Sequence, residues 1–289
     1  MYDLPPELVV TAHGPIRLVE LNRPEQLNAM SEDLHTALAR LWDALAEDAD
    51  VRAVVLTGRG RAFCAGGNFA VMARVQQDAA FREQNVVEAR QIMTGMLKAA
   101  VPIIAAVNGP AVGLGSSLAL LSDLVLMAED AYISDPHLQV GLVPGDGGAL
   151  LLPLIVGPAR AKEILFLGER IGAQDAVRLG IANRVVPQDK LLDEAMDLAR
   201  RLTALPTQAL RDTKRAVNLH LEQAMASVLE PALLAERESM HSPEHIAIVE
   251  GIAARKASSA SSTRNASKAS SASSASGARN TNSARNKDR

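Results

Sequence analysis

Two glycine-rich segments and one histidine–aspartate pair are the residues of this 289-residue chain whose types and spacing could do chemistry. The first segment runs Arg61-Ala62-Phe63-Cys64-Ala65-Gly66-Gly67-Asn68-Phe69. The second runs Asn108-Gly109-Pro110-Ala111-Val112-Gly113-Leu114-Gly115-Ser116-Ser117. Glycine lets the backbone take positive φ and approach a ligand closely, so that amide N–H groups point into a site. A helix beginning at Gly115 would add the positive potential of its N-terminus. Two such turns facing one another would form an oxyanion hole, which suits a thioester carbonyl becoming an enolate. Two plain strand–helix connections would read the same way, and that alternative stays open. His137 and Asp146 lie nine residues apart. A neutral imidazole shuttles protons near neutral pH, and a carboxylate on its far nitrogen would fix tautomer and orientation. Asp146 also precedes Gly147-Gly148 and an apolar run, as a helix cap would. His137 follows Pro136, as a hydrogen-bonded loop residue would.

Other candidates read as structural. Cys64 has no histidine or aspartate partner nearby in sequence and is expected to be a small buried hydrophobe. Ser117 is expected to be a small residue in a helix's first turn. His13, His35, His220, His241 and His245 look like turn or helix-surface residues. His241 and His245 have the i, i+4 spacing of a metal pair, but without a third ligand no metal site is expected. Gly113-Leu114-Gly115 begins a dinucleotide fingerprint whose third glycine position is occupied by Leu118, and no phosphate-loop motif is present.

The elements that must position these groups are legible in the hydrophobic pattern. Leu8–Thr11 and Ile16–Glu20 flank His13-Gly14 as a hairpin. Ser31 caps a helix whose apolar face is Leu34, Leu38, Leu41 and Leu45. The runs 51–57, 103–107 and 124–128 are buried-strand patterns alternating with helices, which favours parallel βα units. Beyond Pro158 the pattern is almost wholly helical, with long helices expected over 191–204, 207–219 and 221–240. From Ala257 onward no large apolar residue occurs, so residues 257–289 are expected to form a disordered basic tail.

Composition sets the wider frame. At 48% hydrophobic residues the chain can bury a substantial core. A net charge of −3 and a tail without aromatics give no reason to expect a nucleic-acid partner. A single cysteine rules out an internal disulfide framework and fits a reducing cytoplasm. The first residues lack a basic segment followed by an apolar one, and no run is long enough to span a bilayer, so no membrane association is expected.

A run of motifs then carries a specific likeness. Leu21-Asn22-Arg23-Pro24-Glu25-Gln26-Leu27-Asn28-Ala29-Met30 resembles the N-terminal coenzyme A-binding signature of the enoyl-CoA hydratase/isomerase (crotonase) superfamily. Phe63-Cys64-Ala65-Gly66-Gly67, Ala105–Gly109, Ser122-Asp123, Val143–Gly148, Ile171–Ala176 and Leu179–Ala182 follow in that family's order. The resemblance implies an α/β fold, with a crotonase-like ββα spiral core over residues 8–200 and a helical trimerisation region over 201–256. It places the oxyanion-hole amides on Gly67 and Leu114, and the coenzyme A contacts on the backbone around Gln26, Leu27 and Ala65. Asp123 becomes structural. Coenzyme A would enter as part of an acyl-CoA substrate, with no separate cofactor, in a homotrimer or hexamer. In a trimer Glu230, Glu236 and Glu238 on the late helices could reach a neighbouring site, which the sequence alone does not show.

The departures carry as much information. The two glutamates of similar hydratases fall here on Ser117 and His137, so hydration by a glutamate pair is not expected. The Val143–Gly147 stretch is similar to that of 6-oxocamphor hydrolase, a superfamily member that cleaves a carbon–carbon bond between two ketones. That similarity implies that His137 and Asp146 act together on water. The expectation is an acyl-CoA enzyme in which His137 and Asp146 serve as acid/base pair. A β-diketone hydrolase that does not use coenzyme A and a non-catalytic coenzyme A-binding protein stay open as alternatives.

Overall fold

In the computed structural model the His13-Gly14 turn closes an antiparallel hairpin between β1 (Leu8–His13) and β2 (Ile16–Leu21), with Leu8 opposite Leu21. Gly14 takes φ 59°, a left-handed conformation that glycine adopts without steric cost. Residues 2–255 are described, and the tail expected over 257–289 lies outside them.

Ser31 accepts a hydrogen bond from the Leu34 N–H at 3.3 Å and starts α1 (Glu32–Glu47), which buries Leu34, Leu38, Leu41 and Leu45. β3 (Ala53–Gly58) pairs in parallel with β2 and is buried at every position. Asn68 and Asp78 cap α2 (Phe69–Gln77) and α3 (Ala79–Lys98) through their side chains. The chain continues through β4 (Ile103–Val107), β5 (Ala111–Val112), α4 (Leu114–Leu121), β6 (Leu124–Ala128) and β7 (Tyr132–Ser134). It then forms α5 (Gly148–Val156), α6 (Pro158–Leu167), β8 (Ile171–Gly172), α7 (Ala173–Arg178), β9 (Arg184–Val186), α8 (Leu191–Thr203) and α9 (Thr207–Ser239).

The strands make a six-stranded sheet in the order β1-β2-β3-β4-β6-β9 and a three-stranded sheet in the order β5-β7-β8. Successive stretches repeat one unit: a strand in the large sheet, a short extended piece beside it, then a helix. β4, β5 and α4 are one such unit. β3 with the bridge Cys64↔Ala111 and α2 is another, and β2 with the bridge Met30↔Gly67 and α1 a third. This is the expected ββα spiral. The short pieces stack beside one another, and the loop at each of their ends therefore falls on the same side of the molecule.

Two helices expected over 207–219 and 221–240 are a single 33-residue helix, α9. No glycine or proline stands near His220 to stop it, and Pro231 sits inside it without ending it. α9 packs against α3 and α5 within one compact unit formed by the described residues up to Ile246. Its start is tied down by Lys214, whose Nζ donates to Asp123 Oδ2 at 2.7 Å and to the Val101 carbonyl at 2.9 Å. The same Asp123 oxygen accepts from Ile103 N–H at 2.7 Å, so Asp123 is a structural carboxylate as expected. Residues 247–255, the described part of a second unit, are helical. No helix among the described residues is long and apolar enough to cross a membrane.

Candidate active site

The two glycine turns lie side by side. Cys64 N–H donates to the Pro110 carbonyl at 3.0 Å, and Val112 N–H donates to the Cys64 carbonyl at 2.9 Å. Gly66 takes φ 83°, and a Cβ there would come within 2.9 Å of the Val112 carbonyl oxygen. Only glycine permits that approach. The bridge to Met30 uses Met30 N–H on Gly66 O and Asn68 N–H on Met30 O, which leaves the Gly67 N–H uncommitted. Leu114, not Gly115, is the first residue of α4, so its N–H has no intrahelical acceptor. Gly67 and Leu114 line one cavity together with His137, Asp146 and Glu236; it encloses ≈ 720 Å³ of non-atom space, counting solvent at its mouth. Cys64 lies behind the turn, fully buried, and burial pushes its thiol up to about 12, which leaves it an inert hydrophobe.

His137 reaches this cavity from the loop after β7. Its ring stands over the second glycine turn: a Cβ on Gly113 would lie 3.5 Å from His137 Cε1 and 3.9 Å from the Gly66 Cα. The carboxylate that holds the ring is Asp135, whose Oδ1 is 2.5 Å from His137 Nδ1. Asp146, the partner expected from sequence, is placed on the other nitrogen, with its Oδ2 3.6 Å from Nε2. That distance is an ion pair rather than a hydrogen bond. Burial pushes the His137 imidazole down, but the charges of Asp146 and Asp135 and the Asp135 bond to the ring outweigh it. The ring is held well above the usual histidine range. Asp146 does not cap α5, where Gly147 stands at the N-cap without a side-chain bond.

Glu236 completes the cluster from α9. One donor atom each from His137, Asp146 and Glu236 falls within a 4.8 Å group, the only grouping among the described residues that could hold a metal ion. The Glu236 carboxyl also accepts the Asp146 N–H. Burial first, and then the charge of Asp146, push this carboxyl well above the usual range, against the opposing effect of His137. Burial and the charge of Asp146 thus favour the protonated form of Glu236, which suits proton sharing within the cluster. Sequence alone does not say which subunit's site Glu236 could reach; it lines the cavity of its own chain.

Ser117 is fully buried and does not line the cavity. A Cβ on Gly147 would come within 2.6 Å of Ser117 Cβ and 3.3 Å of Met93 Cε, so the loop backbone occupies the space beside the serine. The segment proposed for coenzyme A is latched to the first glycine turn. Leu27 and Asn28 both take φ 54°, and the Leu27 carbonyl accepts the Ala65 N–H at 3.0 Å. Asn28, fully buried, accepts from Arg23 N–H at 2.8 Å and donates to the carbonyls of Ala62 at 2.8 Å and Arg59 at 3.0 Å. Gln26 is exposed, and its side chain accepts from Arg23 at 2.6 Å.

Two further histidines face the cavity, contrary to the surface placement expected for them. His35 on α1 is buried, with Nδ1 2.8 Å from Glu88 Oε2. Burial works to raise the Glu88 carboxyl, but bonds from His35, Gln84 and Thr36 outweigh it and hold it below the usual range. His245 is fully buried, with Nδ1 2.5 Å from the Val140 carbonyl, so it forms no metal pair with the exposed His241. No short-range pattern could have found these two, because their partners are 53 and 105 residues away.

The family profile described as Enoyl-CoA hydratase/isomerase matches residues 11–257. Among curated relatives, the mitochondrial enoyl-CoA hydratase of Pongo abelii is 33% identical over 214 residues, covering 74% of this chain and 72% of that protein. A solved enoyl-CoA hydratase/isomerase from Mycobacterium paratuberculosis is 48% identical with a TM-score of 0.85, covering 86% of this chain and all of that one (100%). A β-diketone hydrolase from the cyanobacterium Anabaena, solved with (S)-3-oxocyclohexyl acetic acid bound, is 30% identical with a TM-score of 0.76, covering 82% of this chain and 94% of that one.

Proposed function

Because the chain belongs to the enoyl-CoA hydratase/isomerase family, we propose that it processes an acyl-CoA thioester by activating water with His137. Coenzyme A would lie along the backbone around Gln26, Leu27 and Ala65, and no cofactor beyond the coenzyme A of the substrate is needed. The thioester oxygen would accept from the Gly67 and Leu114 amides as negative charge builds on it, with α4 starting at that point. His137, its Nδ1 proton held by Asp135, would take a proton from water at Nε2 and return one to the substrate. A water on the cavity side can bond both Nε2 and Asp146 Oδ2, which are 3.6 Å apart, so Asp146 positions that water. Glu236, protonated, adds a proton reserve without adding charge. The enzyme would work in the cytoplasm as a homotrimer or hexamer through its C-terminal helices.

The observation that carries this reading is the buried Asp135–His137–Asp146 arrangement over the two glycine turns. A panel of enoyl-, 3-oxoacyl- and dienoyl-CoA thioesters tests it. At least one thioester is expected to turn over, and His137→Ala is expected to abolish turnover while acyl-CoA binding persists. Turnover that survives in His137→Ala would remove the mechanism.

A second reading is hydrolysis of a carbon–carbon bond in a β-diketone without coenzyme A. The likeness to the Anabaena hydrolase and the histidine–aspartate pair both favour it. Calorimetry with free coenzyme A separates the two: clear binding counts against the diketone reading.

A further inference from the structure

We propose that the cavity recognises a hydroxyl group on its ligand through His245, an inference that rests on the reading above only for the identity of the cavity. His245 lies in the first turn of the helix that starts at residue 243, where its N–H donates to Ser242 Oγ at 3.2 Å. Its ring lines the same cavity as Gly67, Leu114 and His137. Nδ1 is 2.5 Å from the Val140 carbonyl, and a carbonyl only accepts, so Nδ1 carries the proton. The histidine–carboxylate pairs among the described residues involve His35, His137 and His241, not His245. With the proton of a neutral imidazole on Nδ1, Nε2 presents a lone pair. That Nε2 is buried and has no hydrogen-bond partner among the described residues.

The ring is seated rather than loosely placed. Gly141 takes φ 74°, and a Cβ there would lie 3.1 Å from the backbone N and Cα of His245. Glycine at this position lets the histidine's backbone press against the loop that carries Val140. Besides the polar groups of the His137 cluster, the cavity is lined by the apolar side chains of Val71, Val75, Leu142, Leu233 and Met240. A buried acceptor among such side chains is satisfied by one donor on an otherwise apolar ligand. A ketone or carboxylate would meet it lone pair to lone pair. The ligand class is therefore an acyl group with an apolar body that bears an alcoholic or phenolic hydroxyl.

The test uses the full chain and two probes without coenzyme A, 4-methylphenol and toluene. His245→Phe is expected to weaken 4-methylphenol binding by roughly tenfold, one lost buried hydrogen bond, while leaving toluene binding unchanged. In the unsubstituted protein, 4-methylphenol but not toluene is expected to move the ¹⁵N resonance of His245 Nε2. Equal loss for both probes, or no loss for 4-methylphenol, overturns the proposal. An Nε2 resonance that stays in place overturns it too, and that measurement does not require the variant to fold. Neither probe carries a thioester, so a failure of acyl-CoA turnover leaves this result standing on its own.

Discussion

His137 stands between two carboxylates with separate tasks. Asp135, 1% exposed and bonded to Nδ1, fixes the ring and its tautomer. Asp146, on the cavity side, contributes chiefly charge, and that charge is the foremost influence raising the imidazole against burial. A base that must lose its proton to act gains activity as pH rises through its own raised value. The rate profile of the intact protein is therefore expected to climb into the alkaline range. Asp146→Asn removes one nearby negative charge and is expected to shift that rising limb to lower pH by about 1–3 units. Glu236→Gln replaces a carboxyl already held neutral by burial and by Asp146, so the limb is expected to stay in place. Measuring kcat/KM against pH for both variants checks the contrast; a limb that moves with Glu236→Gln and not with Asp146→Asn refutes it.

At the scale of elements, the loop between β7 and α5 and the start of α4 determine which carboxylates reach the site. Gly147, at φ 141°, lies against Ser117, and Met93 closes the same space. Ser117→Glu, which would restore the side chain found at that place in similar hydratases, is expected to destabilise the protein by about 1–3 kcal/mol through overpacking. It is also expected to bring no gain in enoyl-CoA hydration; urea unfolding and a hydration assay measure the two. Much of this framework is readable in the chain. The hairpin turn, the Ser31 cap, the buried strands and the paired glycine turns are written in local pattern, because each depends on neighbours a few residues away. Asp135 stood two residues before His137 with nothing in its type to distinguish an orienting carboxylate from a loop residue. His35 and His245 were hidden for another reason, as was the site that Glu236 joins. Their roles arise when distant helices close over the spiral, and single-sequence periodicity carries no record of that closure.

For the molecule as a whole, α9 links stability to the site. Its first half is fastened by Lys214 to Asp123 and by Asn218 to the Leu97 carbonyl, and its last turns deliver Leu233 and Glu236 to the cavity. Burial pulls the Lys214 ammonium below its usual range, and Asp123 opposes that effect. Asp123→Ala leaves the ammonium and the Ile103 N–H without that carboxylate. It is expected to cost about 3 kcal/mol, the lower end for a broken buried pair. A denaturant midpoint within error of the unsubstituted protein would show that the helix is held by its apolar face alone.

The contact between Gly147 and Ser117 couples the two positions. Because the loop backbone occupies the room a longer side chain would need, lengthening Ser117 alone does not bring a carboxylate into the cavity. The loop has to withdraw in the same step. Such an interlock makes the two positions a single unit for redesign: a longer side chain is accommodated here only when the serine and the loop change together.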